Sequence, residues 1–195
     1  MKTTRRALLL GAAGTSLFIA GCATGRLVNG PVENAGATIT LSREWSDITF
    51  LLPSPRPRNV KLLSIDGPQL NRLYLAALRP GESLLRPRDR DTPRPTYHAD
   101  MSDTELVEFV VDCVAQEYQS PEAGALRPQN MGAVPGVRFD IATRTAEGLD
   151  ISGTALVARQ GERLHLLLFL APTEHYYAAL LPDVDAIFAS ARIAA

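Results

Sequence analysis

The chain has 195 residues, enough for one domain with a tail. Apolar residues make up 46% and charged residues 21%, and the formal net charge is −1. This composition excludes a disordered acidic tail, a collagen-like repeat and a multi-span membrane protein, and two cysteines are too few for a disulfide-stapled mini-domain.

Lys2, Arg5 and Arg6 form a basic start, followed by an uncharged stretch from Ala7 to Ala20. Fourteen helical residues span roughly 21 Å, short of the ~30 Å hydrocarbon core of a bilayer. The stretch is also rich in Gly, Ala, Ser and Thr, so it reads as a signal peptide. Ile19-Ala20-Gly21-Cys22 resembles the lipobox of bacterial lipoproteins: a branched residue, two small ones, then cysteine. That resemblance implies a diacylglyceryl thioether on Cys22 and cleavage before it. Two or three acyl chains, at about 0.8 kcal/mol per buried methylene, hold a protein where one chain would not. Thr4-Arg5-Arg6-Ala7-Leu8-Leu9 also resembles a twin-arginine export signal, which leaves both export routes open. Ala23 stands where an aspartate would resemble an inner-membrane retention signal, which favours the outer membrane. The expected location is the cell envelope, lipid-anchored and facing the periplasm. Loss of Lys2, Arg5 and Arg6 leaves 17 basic residues against 21 acidic ones, a net charge of −4. With Cys22 lipidated, Cys113 is the one remaining thiol.

Residues 22–37 read as a lipidated tether and 38–195 as the folded domain. Ala37 to Leu41 and Ile48 to Leu52 look like short strands around a turn carrying Trp45. Pro53, Pro55 and Pro57 then break any sheet. Val60 to Ile65 and Leu70 to Leu78 read as strands joined by Asp66-Gly67-Pro68. A second Pro/Arg-rich loop fills residues 79–100. Ser102 and Glu105 make a capping box for a helix over about 103–118. Leu106, Phe109, Val110, Cys113 and Val114 form its apolar stripe, which places Cys113 in the core.

From Gly136 the pattern becomes a three-strand meander over Val137 to Thr145, Leu149 to Ala158 and Arg163 to Leu170. Leu164 to Leu170 is apolar on both faces and should be a central strand. A last helix over about 174–191 takes Thr173 as its cap, and Pro182 should kink or split it. The order strands, helix, three strands, helix gives an α+β fold: an antiparallel β-sheet flanked by helices, an α/β/α sandwich. The closing stretch from Gly136 to Ile193, with Trp45 after the first strand, resembles the PsbP-like fold. That fold is shared with the Ran-binding Mog protein and several bacterial lipoproteins. The resemblance implies a compact sandwich with a binding or assembly role and generally no chemistry.

No G-x-S-x-G, H-E-x-x-H, P-loop or G-x-G-x-x-G motif occurs, so no catalytic residue and no cofactor are expected. His165 alternates with Leu167 and Phe169 and reads as a hydrogen-bonded core or semi-buried residue rather than a ligand. His98, Asp100 and Asp103 contain hard-metal donors, but Asp103 is more simply a first-turn acid, and no metal is expected. His175, Tyr176 and Tyr177 lie where the last strand feeds the last helix; they line a ligand pocket or pack under the sheet.

Charge is segregated. Residues 55–94 hold nine basic and four acidic groups, and residues 95–195 hold six basic and 14 acidic ones. Arg56, Arg58, Arg86, Arg88, Arg90 and Arg94 therefore form a candidate surface for a protein partner or an anionic layer, unless they are solvated loops. Location and net negative charge argue against nucleic acid. The expected function is a membrane-anchored periplasmic lipoprotein with a non-enzymatic binding or envelope-assembly role. The alternative is a carrier for a small apolar or amphiphilic ligand held between sheet and helix.

Overall fold

Continuous apolar runs in the second half of the chain build the centre of the fold. The computed structural model describes residues 25–53, 59–85 and 93–194. Strand β8 (Arg163–Pro172) is buried at every position after Arg163. It pairs on one side with β4 (Arg72–Leu78), from Arg72↔Leu170 to Leu78↔Leu164. On its other side lies β7 (Asp150–Gln160). The meander continues outward through β6 (Gly136–Arg144) to β5 (Gln119–Pro128). Beyond β4 lie β3 (Val60–Ser64), β2 (Ala37–Asp47) and β1 (Arg26–Asn34). All neighbours are antiparallel, in the order β1-β2-β3-β4-β8-β7-β6-β5, and the short β9 (Arg192–Ile193) pairs with β2.

Because side chains alternate along a strand, β8 supplies both faces. Leu164, Leu166, Leu168 and Leu170 join one core, which helix α1 (Asp103–Ala115) closes with Leu106, Phe109, Val110, Cys113 and Val114. Leu167, Phe169 and Ala171 join the other, closed by Leu180, Val184, Ile187 and Phe188 of helix α2 (Ala178–Ser190). The expected α+β sandwich with a helix on each side of an antiparallel sheet is what forms.

The capping box forms as the sequence predicts. Ser102 Oγ accepts the Glu105 N–H at 3.3 Å, and the Glu105 carboxylate accepts the Ser102 N–H at 2.7 Å. The Ser102 N–H, and the Ser102 hydroxyl that also donates to this carboxylate at 2.7 Å, favour the charged form of Glu105 and lower its pKa. Cys113 is buried, as expected, and burial pushes its thiol up to about 11.

Several expectations are corrected. Residues 26–37, expected in the tether, form β1 and open β2, because the hairpin turn at Ala35-Gly36 lets Val32 pair with Ile39. Trp45 lies on no turn: β2 runs unbroken through it, and its indole is fully buried with Ile39 and Leu41 against the α2-side core. Ile48 to Leu52 is not a strand; Thr49–Leu51 is a 3-10 turn held by the Asp47 side chain. Strand β5 was not expected, since its mostly exposed side chains leave no apolar alternation. Pro182 does not split α2. The helix runs unbroken from Ala178 through Pro182 to Ser190, with only the bond from residue 182 to the Ala178 carbonyl removed. The irregularity lies upstream, in a wide turn over Thr173–Tyr177. Thr173 caps nothing and instead exchanges a hydrogen bond with Ser152 at 2.9 Å.

The centre of the sheet is packed to contact at Gly153. A Cβ there would meet Leu170 Cδ2 at 2.6 Å and the Phe169 carbonyl at 2.8 Å. Gly153→Ala should therefore cost about 1–3 kcal/mol of stability, because strand backbone must shift to admit the methyl group. Urea unfolding of the two proteins measures this directly.

Candidate functional site: a cleft at the open end of the sheet

The layer on the α2 side is narrower than the sheet beneath it. β2 shares only the rungs Ser46↔Ser64 and Asp47↔Leu63 with β3, and its remaining length packs beside α2. There the Thr40 N–H donates to Ser190 Oγ at 2.8 Å and Arg43 pairs with Asp183 at 3.1 Å. Hairpin and helix cover the sheet from β3 through β4 and β8 to β7, while β6 and β5 extend past them. The step leaves a solvent-open cleft of about 630 Å³.

Two spacings build its walls. On β6, Phe139 and Ile141 turn into the α1-side core, so Arg138, Asp140 and Ala142 turn to the cleft. On the helix side Tyr177, Leu181 and Asp185 recur every four residues and form one stripe. Arg127 enters from β5.

The polar groups in the cleft already engage one another. Arg138 is buried; its Nε donates to Thr154 Oγ1 at 3.1 Å and its Nη1 to Gln129 Oε1 at 3.4 Å. Its Nη2 pairs with the Asp185 carboxylate, and the guanidinium lies 5.0 Å from the Phe188 ring centre. Arg127 pairs with Asp140 at 2.9 Å and donates to the Ala125 carbonyl at 2.6 Å. Tyr177 stacks on Phe169 with ring centres 5.9 Å apart and donates to the Gly153 carbonyl at 3.2 Å. Burial first, then the Asp140 charge, pushes the Tyr177 phenol up to about 12. It stays protonated and a donor at neutral pH.

Of the three residues expected at this junction, Tyr177 lines the cleft. Tyr176 is half-buried against the α2-side core, and His175 is exposed with its ring edge-on to Tyr176 at 5.2 Å. His175 holds φ +68° and ψ −60°, a strained conformation for a side-chain-bearing residue, in the turn that delivers Tyr177. Arg94 is exposed, whereas Cys22, Arg56, Arg58, Arg86, Arg88 and Arg90 lie outside the described residues. Part of the basic excess is neutralised internally: Lys61 pairs with Asp47 at 3.8 Å, and Arg72 with Glu117. No group of three or more metal-ligating side chains gathers among the described residues; His98 contacts Thr96 Oγ1 at 3.2 Å. Arg127, Arg138, Asp140 and Asp185 join the site from positions that no sequence motif marks. The alternation of Arg138 and Asp140 with Phe139 and Ile141 was their sequence signal.

An antiparallel sheet with one helix on each face and a hairpin folded beside the second helix is the PsbP-like fold. The chain is similar to the solution structure of cyanobacterial PsbP (CyanoP) from Synechocystis sp. PCC 6803, at 12% identity and a TM-score of 0.52. That match covers 94% of this chain and 98% of that one. It is similar to the Ran-binding protein Mog1p of Saccharomyces cerevisiae at 11% identity and a TM-score of 0.50, over 86% and 96% of the two chains. LpqN, involved in cell envelope biogenesis of Mycobacterium tuberculosis, aligns at 12% identity and a TM-score of 0.49, over 88% and 93%. At these identities the likeness concerns the fold. No family model and no curated protein matches the sequence.

His165 sits in β8 as expected, buried, but its Nδ1 has no hydrogen-bond partner. Burial, and then the neighbouring Arg163, pushes its pKa down to about 4. An unfolded chain takes up this proton near pH 6.5, whereas the folded protein refuses it until about pH 4. Stability is therefore full above pH 6.5 and falls as pH drops through this window. Relative to His165→Leu, the wild-type protein should lose about 3 kcal/mol more between pH 7 and pH 4. Denaturant melts of both proteins at several pH values would show parallel curves if His165 were not the group responsible.

Proposed function

We propose that this protein is a lipid-anchored component of the cell envelope that binds and does not catalyse. The observation carrying the binding half is the 630 Å³ cleft beside α2. Its volume falls in the range of ligand sites. Its arginines are held by carboxylates and its tyrosine by a backbone carbonyl, so the walls offer recognition surface rather than a poised nucleophile or base. The envelope half rests on the lipobox-like Ile19-Ala20-Gly21-Cys22.

A protein partner fits this cleft better than an enclosed ligand. The cleft is open, and its rim carries Glu122, Arg127, Asp140 and Asp185, a pattern suited to a complementary protein surface. An amphiphile carrier, the second reading, draws support from the apolar side chains of Ala142 and Leu181 on facing walls. The exposed Arg94, with Arg56, Arg58, Arg86, Arg88 and Arg90, would supply a second, salt-sensitive contact.

Two measurements test the proposal. Cys22→Ser should leave the protein unprocessed or soluble, because a hydroxyl cannot receive the diacylglyceryl group; mass spectrometry of the membrane fraction reads this. Ala142→Trp should fill the cleft without touching either core. With a photo-crosslinker at Glu122, which stands opposite Ala142 on the cleft face, the wild-type protein should give discrete adducts in its native membrane that the Ala142→Trp variant loses. Adducts of a small lipid would favour the carrier, and identical adducts in both proteins would remove the cleft from the account.

A further inference from the structure

Five large apolar side chains are exposed among the described residues: Leu27, Phe50, Leu51, Leu126 and Leu149. Scattered singly, such residues need no explanation. Three of these five share one corner. Leu27, 60% exposed, stands opposite Ser46 on the β1–β2 ladder, and the turn Thr49–Leu51 follows directly from the end of β2. Phe50 and Leu51 on that turn are 43% and 50% exposed.

The turn is firmly built, so this exposure does not come from fraying. Asp47 Oδ1 accepts the Thr49 N–H at 3.0 Å and the Thr49 hydroxyl at 2.5 Å. Thr49 Oγ1 in turn accepts the Leu62 N–H at 3.0 Å. Leu51 and Leu52 donate to the Ile48 and Thr49 carbonyls at 2.9 and 3.1 Å. Ile48 and Leu52 are buried on either side, and the fixed backbone holds Phe50 and Leu51 outward between them.

The chain also enters the fold at this corner. Gly25 lies against the end of β2, where a Cβ would meet the Asp47 carbonyl at 2.2 Å and Ile48 Cγ2 at 2.9 Å. Cys22 is three residues upstream, a reach of at most about 10 Å. Arg26, exposed and opposite Asp47, adds a cation at the same place.

We propose that Leu27, Phe50 and Leu51 form a membrane-docking surface that enters the interfacial layer of the bilayer to which Cys22 is attached. The proposal rests on the anchoring reading above. An anchor on so short a spacer keeps the corner at high effective concentration beside the membrane, so a few apolar side chains suffice to hold an orientation. Arg26 at the rim meets anionic headgroups.

The test uses the full chain, processed in cells and reconstituted into vesicles of phosphatidylethanolamine and phosphatidylglycerol, with and without brominated acyl chains. Phe50→Trp reports on the corner and Leu149→Trp on an exposed turn elsewhere; the buried Trp45 contributes an equal background to both. Brominated lipid should quench the Phe50→Trp indole at least about twofold more than that of Leu149→Trp, and aqueous acrylamide should show the reverse order. Leu51→Trp serves the same purpose if Phe50→Trp does not accumulate. Equal quenching in both variants, on protein that still floats with the vesicles, would overturn docking and leave the anchor standing. Lack of lipid on the Cys22 peptide would remove the anchor and docking together, and mass spectrometry separates these two failures. Acrylamide shielding that grows with protein concentration, without quenching by brominated lipid, would assign the corner to a second copy and overturn the proposal.

Discussion

Burial of β8 on both faces, over nine residues from Leu164 to Pro172 in mid-sheet, sets a requirement that the rest of the chain has to meet. A strand with no wet face needs a covering layer on each side. On one side α1 provides it, with a stripe that meets the even-numbered leucines of β8. On the other, α2 alone is too narrow to cover a sheet of this width. The β1–β2 hairpin takes up part of the difference: it bonds to β3 over two rungs and then lies beside α2 with Trp45 buried beneath it. Among the described residues nothing takes up the rest over β5 and β6, and the cleft is what remains.

Arg138 shows what that incomplete cover demands. It stands on the inner face of β6 at the boundary between covered and open sheet, and it is buried. A buried guanidinium is tolerable only when its donors are met, and Thr154 on β7, Gln129 just past β5 and Asp185 on α2 meet them. The same group bridges α2 to the meander and forms a cleft wall. Tyr177 acts likewise from the other side, tying the start of α2 to β7 through the Gly153 carbonyl while presenting its ring to the cleft. The strained His175 lies in the turn that brings the chain from β8 up to Tyr177. Strain of this kind persists only where the packing around it is over-determined.

The legible parts of the sequence were those where local chemistry and burial agree. Ser102 and Glu105 cap α1 because a capping box is satisfied within four residues of chain. The continuous apolar run in β8 and the tight turns of the meander were legible for the same reason. Strand β5 was not legible, since its two register shifts and exposed side chains replace alternation with irregularity. Such bulges also blunt an edge strand against pairing with other chains. β1 reads as tether in the sequence because Gly30 and Pro31 imitate a linker, and only pairing with β2 makes the segment a strand. At the candidate site, Tyr177 could be placed from its position at the strand–helix junction. Its partners Arg138 and Asp185 lie 47 residues apart and meet only through the fold.

The cleft and the apolar corner lie toward opposite edges of one sheet, which constrains any account joining them. In the order β1-β2-β3-β4-β8-β7-β6-β5, five strand spacings separate β2 from β6. At about 4.8 Å each they amount to roughly 24 Å. With the corner of Leu27, Phe50 and Leu51 on a bilayer and the sheet standing away from it, the cleft opens well above the headgroups. On the proposed docking, a cleft at that height is set apart from the acyl chains. The charged rim of the cleft points the same way, because Arg127–Asp140 and Arg138–Asp185 present alternating charges suited to a polar surface.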